Sequence, residues 1–211
     1  MKRLAAAAVA TLSILGASAA SAAFDGYYDL SHWTTTLTGG DNLPPFIPTG
    51  GHNPSDPLDV PVDTSGAPNS VKINGGDNGC GTFPLTNCRT LFSIVVQGNQ
   101  QFTFHWDYNS QDLFATILGD ASGDPFGLFV DSTFFPPLTS VLGGAMQSGD
   151  ATIGVAAGHT FGFYVDCTEC TLGPASVIIS GFSVTPEPGV LALFGIAFAG
   201  LGLARRRARV V

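Results

Sequence analysis

The chain has 211 residues and a formal net charge of −8, and 14 of its 16 acidic side chains are aspartate. Six of its eight basic residues lie close to the two ends, so residues 23–204 hold only Lys72 and Arg89. So acidic a surface excludes nucleic acid and anionic headgroups as partners, and it repels a strongly anionic polysaccharide unless divalent cations intervene. With 27 Gly, 14 Pro and few Lys or Glu, the composition disfavours helices and favours short strands joined by turns.

In chain order, Lys2 and Arg3 form a basic start, Leu4 to Gly16 an apolar run, and Ala20-Ser21-Ala22 a small-residue cleavage pattern. This predicts a signal peptide over residues 1–22, cut after Ala22 by signal peptidase in the course of export. Residues 23–184 then make one exported domain, long enough for a sizeable core. Tyr27, Tyr28 and Trp33 open it and are candidates for an exposed surface on which sugar rings stack. His32 to Leu37 reads as a first strand. Gly39 to Pro68, with seven prolines from Pro44 onward, reads as a long irregular excursion. Ser70 to Asn74 is a short strand ending in a Gly-Asp-Asn turn cluster.

Cys80, Cys88, Cys167 and Cys170 imply disulfides in an oxidising compartment, with three connectivities open. Local pairing, Cys80 with Cys88 and Cys167 with Cys170, is the favoured one, because the first pair encloses a hairpin-sized loop. A four-cysteine zinc site is the alternative, but only Cys167 and Cys170 have knuckle spacing. Thioredoxin-like chemistry at Cys167-Thr-Glu-Cys170 is set aside, since a strand-like segment precedes the first cysteine where a helix should follow it.

Thr90 to Val96 is a strand. In Gln101 to Tyr108 the alternation is plain: Phe102, Phe104, Trp106 and Tyr108 on one face, Gln101, Thr103, His105 and Asp107 on the other. The aromatic face is assigned to the core. Asp120, Ser122 and Asp124 place oxygen ligands at alternate positions around Gly123, a candidate calcium site near Asp107 and Asp112, although the full calcium-loop pattern is absent. Leu128 to Val130 is a strand, Thr133 to Gly149 a second long loop, and Ala151–Val155, Thr160–Val165 and Ala175–Val184 three further strands. About eight short strands without a helical period predict an all-β fold, an antiparallel sandwich of jelly-roll or immunoglobulin-like form.

Residues 185–211 differ in kind. Thr185-Pro186-Glu187-Pro188 reads as an extended linker, accessible to a processing enzyme because its prolines remove donors and disfavour helix. Gly189 to Ala204 is uncharged and apolar, a predicted C-terminal helix of about 24 Å that would span the membrane with some local thinning. Arg205, Arg206, Arg207 and Arg209 follow and would hold the tail in the cytoplasm. Pro186-Glu187-Pro188, the apolar run and the Arg cluster together resemble the PEP-CTERM sorting signal. That resemblance implies export in a Gram-negative, exopolysaccharide-producing bacterium, transient residence of the helix in the inner membrane, and processing by an exosortase. The segments Phe104-His105-Trp106-Asp107-Tyr108, Asp124-Pro125-Phe126-Gly127, Gln147-Ser148-Gly149 and Ala157 to Phe163 also resemble a core shared by many secreted proteins with this signal. It implies a β-rich domain and assigns no catalytic residue.

No nucleophile elbow, zinc-protease motif or phosphate loop is present in the sequence, and with two glutamates a paired-carboxylate hydrolase would depend on Asp107 and Asp112. The expected function is therefore a non-catalytic surface or matrix protein associated with exopolysaccharide. A carbohydrate-binding module, steadied by calcium where the candidate site is filled, is the alternative, and a secreted hydrolase the third. No cofactor beyond calcium is expected.

Overall fold

The computed structural model describes residues 23–40, 49–53, 55–76, 88–112, 123–167, 173–186 and 198. Among these, ten strands form two five-stranded antiparallel sheets. They are β1 (Thr34–Thr38), β2 (Val62–Asp63), β3 (Ser70–Asn74), β4 (Cys88–Val95), β5 (Gln100–Ser110), β6 (Phe126–Val130), β7 (Thr133–Phe134), β8 (Met146–Val155), β9 (Thr160–Cys167) and β10 (Ala175–Pro186). Sheet A runs β1-β4-β9-β6-β7 and sheet B runs β2-β3-β10-β5-β8. The last eight strands pair as the arms of one long hairpin: β3 with β10, β4 with β9, β5 with β8, and β6 with β7 at its tip. Wrapping such a hairpin into two sheets gives a jelly roll, the first of the two predicted sandwiches.

The interior is aromatic. Phe102, Phe104, Trp106 and Tyr108 of β5 are all buried, as their alternation requires. They meet Phe126, Phe161 and Phe163 from sheet A, with Phe102 stacked on Phe161 at 4.5 Å. Offset and edge contacts of this kind add to the stabilisation from burial alone. Two single turns of 3₁₀ helix, Gly26–Tyr28 and Leu30–His32, lay residues 24–33 across one end of the core. Phe24, fully buried, stacks on Phe182 at 4.4 Å, and its N–H donates to Pro68 O.

Several expectations are corrected. The loop placed over 133–149 is shorter, because β7 and the first half of β8 occupy it. Gln147-Ser148-Gly149 hides its strand character because a ring fills the space: a Cβ on Gly149 would stand 2.9 Å from Trp106. The linker from Thr185 is also shorter. Thr185 and Pro186 continue β10 opposite Gln101 and Gln100, beyond the point where β3 stops pairing at Ser180, so the proline's missing N–H breaks no ladder bond to β3. The long excursion contains β2 and is tied down at His52. The predicted signal peptide, the apolar helix, Glu187, Pro188 and the Arg cluster lie outside the described residues. Among those described, no helix is long and apolar enough to cross a membrane.

Candidate functional site

The residues proposed for sugar stacking are mostly interior. Trp33 is buried, stacked on Phe92 at 4.9 Å and on Phe163 at 5.7 Å, with its indole N–H donating to Tyr28 O at 3.0 Å. Tyr28 is buried against Phe102. Tyr27 is half-buried, and its hydroxyl donates to Val95 O. The correction has a simple cause: the end of a sandwich needs a lid, and residues 24–33 supply it with their largest side chains.

His52, within the predicted irregular excursion, is buried. Its Nδ1 lies 2.6 Å from Asp59 Oδ1 and its Nε2 lies 2.9 Å from Thr90 Oγ1, while Asn53 N–H donates to Asp59 Oδ2. A hydroxyl, an imidazole and a carboxylate in line is the order used to activate a nucleophile. Here Thr90 is fully buried on β4, so the arrangement fastens the 49–59 loop to sheet A.

Of the candidate calcium ligands, Asp120 and Ser122 lie outside the described residues. Asp124 is buried, its Oδ2 accepting from Ser110 Oγ at 3.1 Å and its carbonyl from the Tyr108 hydroxyl at 2.8 Å. Burial, with the charge of Asp124 adding to it, raises the Tyr108 pKa well above the ordinary phenol range. Asp112, also buried, reaches toward Gly123, where a Cβ would stand 3.0 Å from its Oδ2. Among the described residues no three His, Cys, Asp or Glu side chains converge as a metal site.

Cys88 and Cys167 are both disulfide-bonded and face each other across β4 and β9. A cysteine held in a disulfide is no thiolate ligand for zinc. Cys80 and Cys170 lie outside the described residues.

The surface that sequence reasoning missed is the outer face of sheet B. Register aligns its side chains in rows across the strands: Asn74, Ser176, Asn109 and Met146; then Lys72, Ile178, Asp107 and Ser148; then Ser70, Ser180, His105 and Asp150. A depression of about 440 Å³ lies over the first two rows, and a second of about 330 Å³ adjoins it beside Asp56, Asp59 and Asn74. Both are lined by Lys72 and Ser176. Lys72, one of two basic residues in residues 23–204, thus stands where the two meet. Asp63 is its register partner on β2, and that carboxyl is held below its usual range, first by the Ser65 N–H and hydroxyl and last by the Lys72 charge. Hydroxyl, amide, carboxylate and ammonium groups alternate here within reach of one another, with Ile178 and Met146 as the apolar contacts. Such a face can hydrogen-bond a hydroxyl-rich chain. Its signal in the sequence is the polar half of each alternation, from Ser70-x-Lys72-x-Asn74 to Thr103-x-His105-x-Asp107-x-Asn109.

No curated protein matches the chain in sequence. In shape it is similar to the carbohydrate-binding module TmCBM61, solved with β-1,4-galactotriose, at 13% identity over 75% of this chain and 90% of that one, TM-score 0.35. It is similar to the N-terminal cellulose-binding domain of Cellulomonas fimi β-1,4-glucanase C at 9% identity, covering 75% and 96%, TM-score 0.36. It is also similar to part of the secreted serine protease VesC of Vibrio cholerae at 12% identity, covering 55% of this chain but 21% of that one, TM-score 0.36. Residues 184–207, beginning inside β10, match the PEP-CTERM protein-sorting motif, and the chain is a protein bearing that export and sorting signal.

Proposed function

We propose that the chain is exported, cut by signal peptidase and by an exosortase, and left as a non-catalytic domain at the cell surface or in an exopolysaccharide matrix. The observation that carries this reading is the junction between fold and signal. The sorting motif starts at residue 184, within the last three residues of β10, and Phe24 is already buried two residues past the expected signal-peptide cut. The two cuts would therefore release the folded sandwich with no strand removed. Before the second cut, the apolar run holds the domain to the inner membrane. Intact-mass measurement of surface material tests this: a chain beginning at Ala23 and lacking the Arg cluster is expected, and recovery of Arg205 to Arg209 would make the tail an ordinary anchor. Peptide mapping of the same material should find no free thiol, with Cys80 joined to Cys88 and Cys167 to Cys170.

A second reading is favoured by the outer face of sheet B: binding of a neutral polysaccharide across the rows around Lys72. The acidic surroundings disfavour an anionic polymer. Asp112 and Asp124, buried at the two ends of the segment that holds Asp120 and Ser122, suit a calcium ion that would brace it. Lys72→Ala with Asp107→Ala should abolish pull-down by neutral glycans while leaving the unfolding midpoint in place. Unchanged binding would remove this face from consideration.

A further inference from the structure

The two sheets end in four edges, and these are unequally guarded. β2 and β7 are two-residue strands, and β1 has five residues, four of them threonine. β8 runs for ten, and among the described residues no strand pairs with it on the side away from β5. A long, regular edge presents a row of unpaired N–H and C=O groups, which proteins ordinarily blunt with lysine, proline, bulges or short strands. β8, Met-Gln-Ser-Gly-Asp-Ala-Thr-Ile-Gly-Val, has no proline and no lysine. Its one charge, Asp150, has its Oδ1 2.9 Å from His105 Nδ1.

The approach to this edge is apolar. Val141, Leu142 and Met146, three of the ten large hydrophobic side chains exposed among the described residues, lie at the start of β8 or just before it. Leu142 is 86% and Met146 80% exposed. Exposed apolar side chains bordering open backbone groups suit strand addition, where the backbone supplies the bonds and the side chains the contact area.

We infer that β8 pairs antiparallel with β8 of a second copy of this chain, joining two sheets B into one continuous ten-stranded sheet. Charge selects that occupant. The domain is acidic throughout, so two copies repel most strongly elsewhere and least at this nearly neutral edge, whereas a basic partner would be drawn to the acidic faces. The strand is also self-complementary under a two-fold axis, as an isologous contact requires. With Ala151 at the axis, Asp150 stands opposite Thr152 of the second copy and Ser148 opposite Gly154. Like charges are not paired, and about ten backbone hydrogen bonds form.

The full chain in a mild non-ionic detergent tests this by light scattering and amide hydrogen exchange. A dimer is expected, with β8 amides protected in concentrated solution and released on dilution. Leu142→Asp with Met146→Asp should weaken association by at least about tenfold, since acidic groups would then face an acidic partner. Raising the salt from about 0.05 M to about 0.5 M should strengthen it, because screening relieves the repulsion between two acidic domains. A chain that stays monomeric as concentration rises overturns the inference. So does an oligomer that ignores both substitutions while its β8 amides exchange freely, which would place the contact in the apolar tail. Wild-type exchange decides the matter even where a variant folds poorly, and neither outcome bears on processing at the sorting signal.

Discussion

The two sheets share one interior and present opposite exteriors. On the outside of sheet A, the Arg89 guanidinium holds the Asp166 carboxylate in a two-pronged pair, with Nη2 2.6 Å from Oδ2. Its Cζ lies 3.9 Å from the Phe134 ring centre and 5.1 Å from that of Tyr164. Phe129 and Tyr164 point outward yet are buried, because each lies across a glycine on the neighbouring strand. Phe129 is the register partner of Gly162, and Tyr164 of Gly127. A Cβ on either glycine would come within 2.5 Å of the ring or hydroxyl opposite. Among the described residues no rings cover the outside of sheet B, where polar side chains stand half-buried to exposed between Lys72 and His105. Sheet A thus closes its outer face with its own rings, while the described part of sheet B presents a polar outer face.

The sharpest break in that comparison comes from inside, where both faces depend on the same rings. Trp33→Ala should cost about 3–5 kcal/mol, the usual loss on emptying a large aromatic site. Trp33 touches Phe92 and Phe163 of sheet A and Phe182 of sheet B, so the loss loosens both. A chemical melt reads it. A midpoint that stays put while glycan binding disappears would return Trp33 to the surface role that its sequence context suggested.

Next in size is Gly162→Ala, which should destabilise by about 1–3 kcal/mol because the methyl must displace Phe129 or Ser93 in a packed layer. Ser176→Ala, its counterpart on the open face, should stay within about 0.5 kcal/mol. Equal effects at the two sites would erase the distinction between a closed and an open exterior. Asp166→Asn keeps the shape but removes the charge facing Arg89, whose pKa is raised first by its hydrogen bond to Asp166. The pair is 24% and 9% exposed, so a loss of about 1–3 kcal/mol is expected in equilibrium unfolding.

Strand β5 was legible because its two faces differ in chemistry at every step. Strand β9 was legible as a strand but not by face: seven of its eight residues are buried, so its apolar run does not tell the core side from the ring-covered outer side. In β10 the alternation changes phase. Val177 and Ile179 point inward, and then a bulge between Ser180 and Ser183, with Gly181 at φ +56°, turns Phe182 inward instead. The polar face of sheet B was present in four separate alternations, but assembling it requires the strand order β3-β10-β5-β8, which alternation does not carry. Trp33 and Tyr28 misled because aromatic residues beside polar ones look alike at a binding surface and at a lid.

The smallest effect concerns His105, which lies on the open face between Asp107 and Asp150. Its Nδ1 stands 2.9 Å from Asp150 Oδ1 and its Nε2 3.5 Å from Asp107 Oδ1, and the hydrogen bond to Asp150 does most to raise its pKa above the ordinary 6.5. A raised folded-state pKa means that the folded protein holds the proton more tightly than the unfolded chain. The stabilisation is therefore complete below about pH 6.5 and is lost as pH rises through the higher folded-state value. His105→Gln should remove it, so wild type and variant should differ more at pH 5.5 than at pH 9. All three side chains are well exposed, so the difference should be small and should shrink further in high salt. A gap that widens with rising pH would mean that the carboxylates do not hold the imidazolium. The open face would then owe its order to backbone register alone.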